Sequence, residues 1–417
     1  DRNLAFTTKK NAADKSDLTH NRVRSKKLAA KIEKSDLTAV QIDAAKLDDQ
    51  PAFQAKCARE EGRWLLQAPL RDLADGDKVG KLASAVNNHY LVEEDFVVDD
   101  PTKAGEYGLD KPLLSLTYKT KEGSTNLVFG SAEEDGETKY YAMNKSEPAI
   151  MAVEKSLIDK LRKAPDDLRA RSLLTFDKNK VQKIVVGKGD EKLVLEKQDE
   201  DGWKIAGDSS ADADKTVMQD VLSGLKNAEV EEFVADSPED LSTYALSEKD
   251  RRTIRLLGED DKKLGEVYLG KESDGTLYAQ RPGFDPVLSV PAEQYMDNLL
   301  AGRLALLDRV VLQEPETRAL KLDLSYDGKN FVCEREDTDS EWRLLRPVES
   351  DVNRSALDDI LFDFEKLRAE TFAAESAQDL AKYGLDKPAI TVSATYAPEA
   401  EESEEDAGEE KEEEETE

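Results

Sequence analysis

The three tryptophans of this chain, Trp64, Trp203 and Trp342, lie 139 residues apart in both intervals. Equal spacing of so scarce a residue requires an architecture of tandem copies, because self-similarity at a fixed period decides the fold before any local pattern does. Each tryptophan leads a short apolar run: Gly62-Arg63-Trp64-Leu65-Leu66, Gly202-Trp203-Lys204-Ile205 and Glu341-Trp342-Arg343-Leu344-Leu345. Copies one and three then reach a proline at the same offset, Pro69 and Pro347.

Further landmarks keep the phase. Apolar residues at three- and four-residue steps (Val217, Val221, Leu222, Leu225; Leu357, Ile360, Leu361, Phe364, Leu367) predict an amphipathic helix after each tryptophan strand. A strand ending on Phe96, Phe233 or Phe372 follows, and eleven residues later stands Tyr107, Tyr244 or Tyr383. Around that tyrosine, copy one reads Tyr107-Gly108-Leu109-Asp110-Lys111-Pro112. Copy three reads Tyr383-Gly384-Leu385-Asp386-Lys387-Pro388, and copy two has drifted to Tyr244-Ala245-Leu246-Ser247. Gly supplies positive φ, Asp a local hydrogen bond and Pro a block to helix, so the hexapeptide reads as a chain reversal. It opens a strand in which Ile390, Val392, Ala394 and Tyr396 alternate with smaller, more polar residues.

Copies one and two continue through hairpins ending near Gly130 and Gly270, strands at Tyr141 and Tyr278, and strands at 149–153 and 287–290. Second helices carry Leu157, Ile158 and Leu161, or Tyr295, Leu299 and Leu300. Copy three stops after Tyr396. The expected organisation is a basic N-terminal segment at 1–37, repeat units at 38–175 and 176–309, a partial unit at 310–397, and a disordered acidic tail at 398–417. Arg22-Val23-Arg24-Ser25 echoes Arg169-Ala170-Arg171-Ser172 at the end of copy one, as if an upstream element preceded the first unit. The fold class is α+β: three tandem homologous units of mostly antiparallel sheet with amphipathic helices, the third incomplete.

Charge limits the partners. Lys and Arg total 60 against 91 Asp and Glu, a net charge of −31. The tail from Glu399 to Glu417 holds thirteen acids and one lysine, or −12 of that, which leaves −19 on the rest. Such a field repels nucleic acid and anionic lipid. Cys57 and Cys333 are too few for a disulfide-stapled scaffold. They fall at equivalent positions, where copy two has Leu195, so the site reads as core and not as a bridge. The chain opens on Asp1, leaving room for an anchoring segment outside the sequence.

Catalytic chemistry finds little footing. Two histidines, His20 and His89, stand outside any triad or zinc spacing. Gly265-Glu266-Val267-Tyr268-Leu269-Gly270-Lys271-Glu272 imitates a phosphate loop but has Glu272 where magnesium needs a hydroxyl. The clusters Glu93-Glu94-Asp95 and Asp99-Asp100 read as solvated edges. No catalytic, cofactor-binding or metal-binding residue is assigned and no cofactor is expected. The recurring Trp and Tyr-Gly-Leu-Asp-Lys-Pro residues are structural landmarks that pack each copy.

This series of landmarks, the hexapeptides above all, resembles the bacterial family of domain of unknown function 4340 across roughly residues 38–397. Members of that family typically carry an N-terminal membrane anchor, and some lie near genes for ABC-type transport or gliding-motility components. The resemblance implies a non-enzymatic binding or scaffold module on the extracytoplasmic face of the envelope. Its membrane tether would lie outside this sequence, and its expected partner is an envelope protein. It also implies that copy three is interrupted by a low-complexity insertion. The competing expectation is a carboxylate-based metal-dependent enzyme, or a calcium-binding protein, with acids from neighbouring repeats converging in a cleft.

Overall fold

The computed structural model describes residues 20–198, 202–207, 211–292, 297–312, 314–374 and 378–398. Three antiparallel sheets follow one another along the chain, the first two built alike. The first has the strand order β4-β3-β2-β1-β6-β7-β8-β9-β5. Its strands are β1 (Leu37–Ala44), β2 (Phe53–Glu60), β3 (Arg63–Ala68), β4 (Asp72–Leu73), β5 (Phe96–Val98), β6 (Leu114–Thr120), β7 (Ser124–Glu134), β8 (Glu137–Asn144) and β9 (Ile150–Val153).

The second sheet repeats this order as β13-β12-β11-β10-β15-β16-β17-β18-β14. Here β10 is Lys183–Lys188, β11 Glu191–Lys197, β12 Trp203–Ala206, β13 Ala211–Asp212, β14 Glu232–Ala235, β15 Arg252–Leu257, β16 Lys263–Ser273, β17 Thr276–Gln280 and β18 Val287–Pro291. The third has five strands ordered β22-β21-β20-β19-β23, namely β19 (Ala319–Tyr326), β20 (Lys329–Glu334), β21 (Arg343–Arg346), β22 (Ser350–Asp351) and β23 (Ile390–Tyr396). The protein is thus α+β, with three tandem units of which the third is smaller. By compactness it divides into Asp1–Lys192 with Leu222–Gln294, and Leu193–Val221 with Tyr295–Glu417.

Helices α1 (Gly76–Asn87), α2 (Lys155–Leu161), α3 (Lys215–Asn227), α4 (Asp297–Ala301) and α5 (Arg354–Glu365) accompany the sheets. The three long ones start where a side chain accepts the first orphan N–H groups. Asp75 accepts from Asp77 N at 2.9 Å and Lys78 N at 3.1 Å. Asp214 accepts from Thr216 N at 3.0 Å and Val217 N at 3.3 Å, and Asn353 from Ala356 N at 3.4 Å. These caps again lie 139 residues apart. Copies one and three share another local feature, a cis peptide before Pro69 and before Pro347.

In copy one, α1 and α2 lay Val79, Leu82, Val86, Leu157, Ile158 and Leu161 on one face of the sheet, against Val40, Ile42, Leu116, Leu127 and Phe129. A smaller cluster of Leu109, Val128, Tyr141, Met143 and Ile150 covers the other face. Both faces of the β7 to β9 region are therefore buried, which explains its runs of consecutive apolar residues.

Several expectations need correction. Gly130 and Gly270 do not end hairpins. Both sit inside long strands, β7 and β16, whose turns come at Asp135-Gly136 and Asp274-Gly275. A Cβ on Gly130 would stand 2.5 Å from Gly108 O and 2.7 Å from Tyr107 O, so glycine is needed for the close approach of the tyrosine turn. Phe96 opens its strand rather than ending it, Phe233 lies inside β14, and Phe372 is in no strand. In the first two copies that strand pairs with the unit's last one, β9 or β18, which has no counterpart in copy three among the described residues. The boundary at residue 37 also cuts through a core, since Leu28, Ala29 and Ile32 are buried with the first sheet. Tyr295 and the acidic run from Glu399 lie outside the described residues.

Candidate functional site

Each tryptophan is an anchor of its copy's core. Trp64 on β3, Trp203 on β12 and Trp342 just before β21 are 9%, 5% and 4% exposed. Backbone N–H groups of Ala74 and Ala213 donate to Trp64 O and Trp203 O, both at 2.9 Å, so the strand after the indole is fastened identically in copies one and two. Arg59 and Arg335 lie 5.9 and 5.0 Å from the rings of Trp64 and Trp342. Cys57 and Cys333 are buried free thiols on β2 and β20, and Leu195, which shares their position, is fully buried.

The tyrosine motif forms a capped 3-10 turn. Tyr107 ends the 3-10 segment Pro101–Tyr107, and Gly108 closes it in the left-handed conformation with φ 68°. Gly384 does the same at 72°, and Ala245 replaces glycine at 54°, so copy two keeps the geometry at some steric cost. Tyr107 meets Tyr141 edge-on at 4.8 Å, and Tyr244 meets Tyr278 at 5.0 Å. Leu109 and Leu246 are buried, Pro112 is half-buried and Asp110 is exposed. In copy three Tyr383 is half-buried, while Gly384, Leu385, Asp386 and Pro388 are exposed.

The densest polar constellation was missed by sequence reasoning. Asp72, on the short strand β4, is 1% exposed and receives two arginines. Arg169 Nε donates to its Oδ2 at 2.8 Å, and Arg281 Nη1 to its Oδ1 at 2.9 Å. Arg169 also reaches Asp166 at 3.1 Å and Asp236 at 2.7 Å, and stacks 3.6 Å from the Phe233 ring. Arg281 Nη2 donates to the carbonyls of Ala170 at 2.8 Å and Ser172 at 2.9 Å. Burial works against the charge on both guanidiniums. For Arg169 the bonds to Asp72 and Asp236 outweigh it and the pKa lies above its ordinary value, whereas Arg281 remains below. The cluster holds the loop after β17 and the chain around Arg169 against the edge of the first sheet. It is an architectural clamp.

A second, smaller cluster lies in the other compact unit. Asp214, 3% exposed at its side chain, accepts from Arg368 at 2.7 Å and lies 3.7 Å from Arg309 while capping α3. His89 follows the C-cap of α1, and burial lowers its pKa from the ordinary imidazole value. The phosphate-loop imitation lies in β16, whose backbone groups are occupied in pairing with β15 and β17. Among the described residues no three His, Cys, Asp or Glu side chains converge as metal ligands would.

Beside the clamp, within the first compact unit, runs an open groove of about 1350 Å³. Small-molecule pockets run to roughly 300–1,000 Å³. Its walls mix signs: Lys34, Arg63 and Lys262 stand with Glu61, Asp77 and Glu229. In all, seven basic and five acidic side chains line it, a small positive excess in so acidic a chain.

The domain of unknown function DUF4340 matches at residues 64–234, 203–388 and 342–410, each match opening on one of the three tryptophans. The chain belongs to this family. No curated protein and no solved structure matches it.

Proposed function

We propose that this chain is a non-enzymatic binding or scaffold module, tethered to the membrane on the extracytoplasmic face of the bacterial envelope. There it would serve as an accessory of an ABC-type transport or gliding-motility system. The observation that carries the reading is where the buried polar side chains are spent. Asp72, Arg169 and Arg281 are consumed by a clamp, and Asp214 by a helix cap and its arginines. Cys57 is a core residue whose thiol burial pushes up to about 12. Groups committed in this way position backbone, as structural ion pairs do, and this supports the non-enzymatic reading. The open groove of mixed charge supplies a surface for a macromolecular partner. The envelope setting rests on family resemblance.

The test is fractionation of cells expressing the full gene product, with protease added outside intact spheroplasts. Recovery with membranes and cleavage by external protease support the proposal; a protected, soluble cytoplasmic product overturns it. Calorimetric titration with calcium separates the competing carboxylate reading, for which stoichiometric binding is required.

A further inference from the structure

We infer that the cleft between α1 and α2 of copy one is a binding site for a soluble phosphate-bearing compound, held through Lys78, Lys81, His89, Lys160 and Lys163. The site goes beyond the scaffold reading and does not depend on it.

The cleft encloses about 680 Å³, inside the roughly 300–1,000 Å³ range of small-molecule pockets. It shares no lining residue with the groove beside the clamp. Lys78 and Lys81 stand three residues apart on α1 and so share a face of that helix. Lys160 and Lys163, on α2 and just past its end, line the same cavity. His89, half-buried beyond the end of α1, adds an imidazole, and the buried Leu82, Leu157 and Leu168 give the cavity an apolar part.

Two acids line the cleft, and both already have donors. Glu154 accepts from Ser156 Oγ at 3.0 Å, and Asp167 from Ala164 N at 3.1 Å. The lysines are less committed. Lys78 Nζ lies 3.9 Å from Asp75 Oδ2 and 3.5 Å from Arg169 O, and among the described residues Lys81, Lys160 and Lys163 have no ion-pair partner. Four ammonium groups against two carboxylates invert the sign of a chain whose net charge is −31. Like charges gathered in one cavity repel one another, and an entering anion offsets that repulsion.

The other repeats supply the control. The helix caps put Lys78, Lys81 and His89 in register with Val217, Asp220 and Ala228 in copy two, and with Ala356, Asp359 and Leu367 in copy three. Asp75 N donates to Leu168 O at 2.8 Å and Asp214 N to Leu306 O at 2.9 Å, which sets Lys160 and Lys163 against Asn298 and Ala301. None of the five is kept in copy two, and Lys81 gives way to an acid in both other copies. The helix that carries Lys78 and Lys81 forms there without them, so the fold does not require the cluster.

Residue type sets the ligand chemistry. Lysine is a compact point charge with three rotatable donors, suited to tetrahedral phosphate oxygens, whereas planar carboxylates favour the arginine fork. Among the described residues no arginine lines this cleft. An anionic membrane surface is disfavoured as the source, since the summed field of the chain opposes it.

The test is isothermal titration of the full chain with sodium pyrophosphate. Saturable binding to a single class of site is expected. It should weaken about tenfold or more in Lys81→Asp and in Lys160→Asn. Each installs the copy-two residue and so should fold, which circular dichroism checks. Lys111→Asp alters the charge at an exposed site outside the cleft and should leave binding within about twofold. Absence of saturable binding overturns the inference. So does an equal loss in Lys111→Asp, since the attraction is then general. Sedimentation with phosphatidylglycerol vesicles by a chain that ignores pyrophosphate also overturns it, since the source is then a lipid headgroup. The titration itself is indifferent to where the chain resides in the cell.

Discussion

Replacing Asp72 by Asn keeps the shape of the side chain and removes its charge, leaving the guanidiniums of Arg169 and Arg281 in place. Asp72 is 1% exposed and accepts from both arginines and from Leu73 N at 2.7 Å. Arg169 retains Asp166 and Asp236, but Arg281, 4% exposed, keeps backbone carbonyls alone among its bonded partners. Breaking a buried pair by removing one partner costs about 3–5 kcal/mol, because a buried charge is left uncompensated. In a unit of this size, that lowers the melting temperature by roughly 10 °C. The assay is thermal unfolding followed by tryptophan fluorescence, with Arg281→Met and the double variant alongside. If the argument holds, Arg281→Met relieves part of the damage done by Asp72→Asn, giving a coupling well above about 0.5 kcal/mol. Additive effects, or a loss no larger than that of an exposed substitution, would refute it.

Trp64→Ala should cost about 3–5 kcal/mol, read by urea unfolding, because the indole is 9% exposed and packs in the main core of copy one. Gly108→Ala and Gly384→Ala share left-handed strain of roughly 1–2 kcal/mol. The first also drives a methyl into Ser131 O, so its melting temperature should fall at least twice as far; equal losses would contradict the packing described for the turn. Cys57 should resist iodoacetamide in the native protein at about pH 8.5 and react in urea, since the folded thiol is pushed up to about 12 from 9.0. The sign for stability follows: its contribution is complete below the unfolded value of 9.0 and falls as pH rises through the window up to about 12. Stability that rises across that window in the wild type, compared with Cys57→Ser, would go against it.

What was legible from residues was whatever a single copy must satisfy alone. An indole buries a large area, so each unit needs one, and three appear in phase. The caps Asp75, Asp214 and Asn353 kept the same spacing but were hidden among many acids and amides. The clamp was illegible for a physical reason. Its bonds join Asp72 to Arg169 and Arg281 across 97 and 209 residues, and neither arginine sits in a pattern that marks burial. Gly130 and Gly270 were misread because glycine signals both a turn and a close approach of backbone, and local sequence does not separate the two. Phe372 was misread because a strand needs a partner, and that partner belongs to a part of the unit that copy three does not show.

The join between copies explains the echo between residues 22–25 and 169–172. Leu173 N donates to Ala228 O at 2.8 Å and Val230 N to Arg171 O at 2.7 Å, and Arg171 caps the carbonyls of Val230 and Glu231. The pattern recurs at Val311 N to Leu367 O and Ala369 N to Arg309 O. Upstream, Leu91 N donates to Lys26 O while Arg24 packs on Phe96. The residues that end one copy in sequence are therefore a strap for the next. A fragment cut at 38 and 175 would discard its own strap, while residues 168–170 stay bonded to copy one through Asp75, Leu73 and Asp72. Recombinant dissection of copy one should begin near residue 20 and run past residue 170, to keep both its strap and its bonds to Arg169 and Ala170.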